Sequence, residues 1–175
     1  KESNDPAFIS ASVGAGKTVN IGAIAAHVSE LGGRVLVIAR TGELVAQNSA
    51  MAWKMGVKNS TYSASLNTKS TFYPVVMGTE GTVSGALDSE FKNVKFDLIL
   101  IDECHHVNEV EVTQALSDKK EKDEYSQYTK IITHFMRSNP KTRIIGYTGS
   151  PFRGTTDIIG GFWRRKIYDV STMYL

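Results

Sequence analysis

Short apolar runs alternate with stretches of helical period along most of this chain. Ala7–Ser12, Arg34–Ala39 (RVLVIA), Pro74–Gly78 (PVVMG), Leu98–Asp102 (LILID) and Arg143–Thr148 (RIIGYT) are brief and nearly unbroken. A half-buried strand alternates apolar with polar residues, whereas an unbroken run is the pattern of a strand covered on both faces. Between these runs the spacing predicts helices over Lys17–Leu31, Glu43–Gly56, Thr82–Leu87 and Tyr125–Ser138. Three of them meet a stop: Gly32-Gly33, Gly56 and Asn139-Pro140. Strand and helix in alternation, with doubly buried strands, predict an α/β fold: a mostly parallel sheet with helices on both faces. Trp53 lies at helical spacing from Val45 and Gly56 and is expected in the core. Asn108–Lys130, with its SDKKEKDE segment, reads as a solvated and partly mobile loop.

Composition adds little to that picture and excludes some classes. The 175 residues suit one domain, 1–175, with a sizeable core. A net charge of +2 does not by itself point to nucleic acid, although it leaves room for a local basic patch. The single cysteine, Cys104, excludes an internal disulfide and a cysteine metal set, and fits a reducing compartment. No apolar run is long enough to span a bilayer, and the N-terminal KESNDP is too polar for a signal peptide. The expectation is a soluble, cytoplasmic protein with no membrane partner.

Chemistry enters with ASVGAGKT, Ala11–Thr18, directly after the first apolar run. A phosphate loop works because successive backbone N–H groups point at the anion and glycines let the chain approach it. Ser12, Val13, Gly14, Ala15 and Gly16 would form that cradle. Lys17 would reach the β and γ phosphates, and Thr18 would place its hydroxyl on Mg²⁺. The following helix aims its N-terminus at the same anion. Ala11 stands where the general pattern has its first glycine, and the plainer alternative is a glycine-bearing turn with a surface lysine. A second segment, LILIDECHH, narrows the choice. It places Asp102 and Glu103 at the carboxyl end of a buried strand, where open α/β sheets bind ligands. Mg²⁺ favours carboxylate oxygens and water, so Asp102 can hold the metal opposite Thr18 while Glu103 polarises the attacking water. An acidic strand end that merely caps the next helix is the competing reading.

These segments resemble the first RecA-like domain of superfamily 2 helicases of the DExH type, with Asp102, Glu103, Cys104 and His105 as the box. The first motif of that group is A-x-x-G-x-G-K-T, which Ala11 matches. VLVIARTGELVAQN (35–48), VVMGTEGT (75–82) and IIGYTGSPFRG (144–154) resemble further motifs of the group, in the group's order. A closer resemblance is to RadD-type bacterial DNA repair helicases, through ELVAQN, LILIDECHH, YSQYTKIITHFMRSNP and GYTGSPFRG. The resemblance implies a RecA-like P-loop NTPase fold with ATP and Mg²⁺ as cofactors. It gives catalytic roles to Lys17, Asp102, Glu103 and His105, with His105 linking the nucleotide site to the later motif. It makes Thr148 and Ser150 coupling hydroxyls, with Gly149 replacing the usual alanine. It places Ala39, Arg40, Gly78 and Thr79 against a nucleic-acid backbone, DNA foremost. Arg40 stands where histidine is frequent and is either a phosphate contact or a surface charge. His106 has no role in the group and reads as a structural or surface histidine, and Cys104 as packing on the sheet. The tail FRG and FWRRKIY reads as a solvated charge run whose aromatics pack on the body.

The resemblance further implies a second RecA-like domain carrying an arginine finger in a pattern such as Q-x-x-G-R-x-x-R, which this sequence lacks. The expectation is therefore a fragment that alone hydrolyses ATP poorly and does not unwind DNA. A single-strand-binding protein is a further partner the resemblance suggests. Three functions remain open: a helicase or translocase in DNA repair or replication, a motor domain of a restriction or remodelling complex, and a nucleotide-gated adaptor that does not hydrolyse.

Overall fold

A computed structural model of the chain describes residues 5–11, 16–118, 123–149, 152–153, 156–157 and 161–170. In chain order its elements are β1 (Ala7–Ala11), α1 (Lys17–Glu30), β2 (Val35–Ala39), α2 (Gly42–Lys54), β3 (Asn59–Ser63), β4 (Thr68–Lys69), β5 (Val75–Thr79) and α3 (Glu80–Ser84). There follow β6 (Leu98–Ile101), a 3₁₀ turn at Cys104–His106, α4 (Glu109–Ser117), α5 (Gln127–Ser138), β7 (Arg143–Thr148), β8 (Phe152–Arg153), β9 (Thr156–Asp157) and β10 (Arg165–Val170). The main sheet has the order β10-β1-β7-β6-β2-β5-β3-β4. All its pairings are parallel except the last, where β4 closes an antiparallel hairpin on β3. Strands β8 and β9 form a separate antiparallel pair.

The apolar runs form the strands they predict, to within about a residue. Their side chains divide by parity between two cores, one on each face. Phe8, Leu36, Ile38, Val76, Ile99, Ile101 and Ile144 face α3 and α5 and pack with Phe91, Phe96, Phe135 and Trp163. Ile9, Val35, Val37, Val75, Met77, Leu98, Leu100 and Tyr147 pack on the other face with Ile21 and Ala25 of α1 and Val45 and Ala52 of α2. Doubly wound α/β architecture follows directly. On α5, Tyr128, Ile131, Ile132 and Phe135 recur at i, i+3, i+4 and i+7 and are all buried. Ser126 caps that helix by accepting from Thr129 N–H at 3.4 Å.

Several expectations are corrected. The segment Asn108–Lys130 is not a loop throughout. It carries α4, whose N-terminus is capped by Asn108 Oδ1 accepting from Glu111 N–H at 3.2 Å, and which buries Val112 and Ala115. Two small buried positions among so many charges leave a weak periodic signal. Trp53 is 47% exposed, not core. The buried stripe of α2 runs through Val45, Asn48, Ser49 and Ala52, so Trp53 falls one position, about 100°, past its end and leans edge-on against Tyr73 at 5.9 Å. The short helix expected at Thr82–Leu87 starts earlier, with Thr79 at its N-cap. Strand β3 (NSTYS) has no apolar run to announce it. Its buried Asn59 is satisfied by Ser49 Oγ donating to Oδ1 at 2.6 Å and by Nδ2 donating to Val57 O at 3.1 Å. In the tail, Phe162 and Trp163 pack on the body as expected, and Arg165–Val170 forms edge strand β10. Ser12, Val13, Gly14, Ala15 and Ser150 lie outside the described residues. Among the described residues no helix is long and apolar enough to cross a membrane.

Cys104 is fully buried against β7, at a point where no side chain separates the two. A methyl group at Gly146 would stand 2.5 Å from Cys104 Sγ and 2.8 Å from the Trp163 ring. Burial, with Glu103 nearby, pushes the Cys104 thiol far above its ordinary pKa. It is a packing residue, not a nucleophile. Gly146→Ala is therefore expected to lower stability by about 1–3 kcal/mol, measured by chemical or thermal unfolding, because overpacking at this contact forces a shift of the 3₁₀ turn.

Candidate nucleotide and nucleic-acid site

Parallel strands end on one edge of their sheet, and the register aligns those ends here. Ile38 pairs with Ile101, Ala39 with Thr79, Ile101 with Gly146, and Ser10 with Thr148. The carboxyl ends of β1, β2, β5, β6 and β7 consequently share one rim. The described residues singled out for chemistry in the sequence stand on it or beside it, at those strand ends and the start of α1.

Gly16 is the N-cap of α1 and adopts φ +75°, ψ +26°, a left-handed conformation that glycine takes without steric penalty. Its φ turns the chain from the segment after β1 into the helix and brings Lys17 over the end of β6. There Lys17 Nζ donates to Glu103 Oε1 at 2.6 Å and lies 2.8 Å from Asp102 Oδ1. The contact to Asp102, a buried carboxylate, is a close ion pair. Burial alone would lower the Lys17 ammonium's pKa. Hydrogen bonding and charge from Asp102 and Glu103 outweigh that and hold it above the usual lysine value.

Glu103 itself sits at φ +56°, ψ +52°. A non-glycine residue in this region is uncommon, costs about 1 kcal/mol or more, and concentrates at functional sites. The conformation ends β6 abruptly and lets Asp102 and Glu103 address the same lysine. His105 Nδ1 shares a hydrogen bond with Thr148 Oγ1 at 2.8 Å and lies 3.4 Å from Glu103 Oε2. Thr148 is fully buried at the end of β7, so the imidazole bridges the acidic turn to the neighbouring strand.

Gly16, Lys17, Thr18, Asp102, Glu103 and Gly149 line a cavity of about 540 Å³, closed on its far side by Leu44, Gln47, Asn48 and Met51 of α2. The donors suit a magnesium–triphosphate group: a lysine, a threonine hydroxyl and the N-terminus of α1 for oxygens, and a buried carboxylate for a hard cation. Among the described residues no three of His, Cys, Asp and Glu converge on one metal position. A cation held by Asp102 and Thr18 would take its remaining ligands from phosphate oxygens and water. Asn48 was not singled out by the sequence. It is 3% exposed, stands on this wall, and its Nδ2 has no hydrogen-bond partner among the described residues.

Along the same rim a second, larger groove of about 940 Å³ runs between the ends of β2, β3 and β5 and the start of α5. Arg40, Thr79, Glu80, Thr82, Ser65 and Lys69 are among the residues that line it. Thr79 Oγ1 donates to Thr82 Oγ1 at 2.9 Å, and that oxygen also accepts from Ala64 N–H at 3.0 Å. Arg40 Nε lies 3.6 Å from Glu80 Oε1. Burial raises the pKa of Glu80, and Arg40 offsets part of that rise. Of the four positions expected at nucleic acid, Arg40 and Thr79 line the groove. Ala39 and Gly78 do not: both are buried in the sheet. A side chain at Gly78 would meet Val83 at 2.5 Å and Tyr62 O at 2.9 Å, so packing accounts for that glycine. Glu80 and Lys69 carried no sequence signal because groove membership depends on how β3–β4 folds over β5.

Residues 1–153 match the family described as type III restriction enzyme, res subunit. The fold is similar to a crystal structure of the UvsW helicase from bacteriophage T4, at 18% identity and a TM-score of 0.67, covering 93% of this chain and 54% of that one. A second structure of T4 UvsW gives 19% identity and 0.67, over 95% of this chain and 31% of that one. A variant of S. cerevisiae Dbp5 bound to ADP and other partners gives 14% and 0.61, over 86% and 39%. The chain thus spans about half, or less, of the length of these proteins. No curated protein matches it in sequence. This chain belongs to the type III restriction enzyme res-subunit family, and its fold is that of the helicase structures it is similar to.

Proposed function

We propose that this chain is the ATP-binding domain of a nucleic-acid-dependent motor that couples ATP hydrolysis to movement along DNA. The observation that carries the reading is the Lys17 ammonium within 2.8 Å of two carboxylates at a strand end, beside a groove on the same rim. In this reading the backbone of 12–16, with Lys17 and Thr18, holds the phosphates. Asp102 and Thr18 hold Mg²⁺, which would supply charge neutralisation at the transferring phosphate. Glu103 orients the attacking water and takes its proton, while Lys17 turns from Glu103 to phosphate oxygen. His105 and Thr148, joined by Ser150, carry the state of the acidic turn to β7.

The groove takes a nucleic-acid backbone through Arg40 and the hydroxyls of Thr79 and Thr82, without reading bases. A second RecA-like domain completes the nucleotide site and contributes the arginine finger. The resemblance to RadD-type helicases supports a role in DNA repair. The family match supports a second reading, a restriction-type motor that moves along duplex without separating strands. ATPase rates of the full protein with single-stranded DNA, duplex DNA and RNA, alongside strand displacement, discriminate the two. Stimulation by single strands with displacement fits the helicase, and stimulation by duplex without displacement fits the translocase.

Glu103→Gln is expected to lower turnover by about 10²–10⁴-fold while leaving ATP affinity within about threefold, since it removes the base and keeps the phosphate contacts. Radiolabelled ATP hydrolysis and equilibrium binding check this. Arg40→Ala is expected to weaken nucleic-acid binding uniformly across sequences and to reduce the slope of log affinity against log salt by about one, measured by anisotropy titrations.

A further inference from the structure

Between the groove and the acidic turn lies a histidine to which neither site assigns a task. Arg40 Nη1, from the groove, lies 3.2 Å from His106 Nε2 and 3.4 Å from its Nδ1. The His106 ring stands 4.1 Å from the His105 ring, centroid to centroid, tilted by 41°. His105 in turn holds Thr148 and approaches Glu103, which is bonded to Lys17. The contacts run without a gap from Glu80 and Arg40 through His106, His105 and Glu103 to Lys17. Both histidines belong to the 3₁₀ turn, a short element whose displacement moves them together with Glu103.

We propose that His106 is a positioning residue that transmits occupancy of the groove to Glu103, through Arg40 on one side and His105 on the other. The inference rests on the functional reading above. Arg40 is half exposed and is shared between Glu80 and His106. A phosphate in the groove competes with Glu80 for the guanidinium and changes its position against His106. The two adjoining imidazoles pass that change to Glu103, whose engagement with Lys17 sets whether it can orient water. Coupling of this kind is reciprocal: nucleotide at Lys17 alters phosphate affinity at Arg40. His106 lines neither the cavity nor the groove. Its removal separates the two without dismantling either.

The test uses the full protein, with a single-stranded oligothymidylate as probe, and reads steady-state ATPase and oligonucleotide binding for wild type, His106→Ala and His106→Gln. In His106→Ala, hydrolysis without oligonucleotide stays within about twofold of wild type. The oligonucleotide affinity stays within about threefold, and the stimulated kcat falls about tenfold, a coupling loss inside the range measured between linked sites. His106→Gln, which keeps a polar contact for Arg40, recovers part of the stimulation. Full stimulation in both variants overturns the proposal. So does a parallel fall of basal and stimulated rates with a lowered melting temperature, which marks a structural residue. A loss of affinity with undiminished kcat at saturation also overturns it, because His106 is then an ordinary phosphate contact. Absence of stimulation in the wild type by DNA or RNA sinks the motor reading itself, independently of the variants.

Discussion

One cation held between two carboxylates organises this molecule's working edge. Lys17 enters on a left-handed glycine at the start of α1, and Asp102 and Glu103 enter on a left-handed glutamate at the end of β6. Neither conformation is favoured by local propensity for its own sake, and the backbone at Glu103 is strained. Both become intelligible once the two turns must meet. Taking charges from water is costly, and the ion pair offsets that cost only because the partners converge closely. The arrangement also prepares exchange. An ammonium paired with carboxylates is a site where phosphate oxygens can replace one partner.

The sheet supplies the geometry that this exchange needs. Parallel strands deliver their carboxyl ends to one rim, and the even register keeps those ends level. The candidate nucleotide cavity, at the end of β6, and the groove, which begins at the end of the adjacent β2, are neighbours for that reason. Cys104, packed against Gly146, anchors the acidic turn on β7.

Much of this was legible in the sequence, and the exceptions have physical causes. Doubly buried strands announce themselves through unbroken apolar runs, and Asp102-Glu103 after LILI placed the acids at the correct strand end. Strand β3 stayed hidden because its burial is satisfied by side-chain hydrogen bonds, which leave no hydrophobic pattern. Helix α4 was masked by its charged surroundings, with only Val112 and Ala115 pointing inward. Trp53 misled because its spacing was taken from Val45 and Gly56, whereas the buried stripe runs through Val45, Asn48, Ser49 and Ala52 and leaves it one position past the end. At the candidate site, motif spacing singled out Lys17, Thr18, Asp102 and Glu103, and the structure groups them around one cavity. Asn48, Glu80 and Lys69 were not, because their membership comes from packing between elements distant in sequence. Gly78 showed the reverse: a motif position whose conspicuous residue is explained by contact with Val83 and Tyr62.

The most direct test of the account is a structure of the protein with a non-hydrolysable ATP analogue and Mg²⁺. The account predicts the triphosphate over the N-terminus of α1, Lys17 moved from Glu103 to phosphate oxygen, and Asp102 and Thr18 on the metal. An analogue bound elsewhere, or bound there with the Lys17–Glu103 contact intact and the metal away from Asp102, would contradict it.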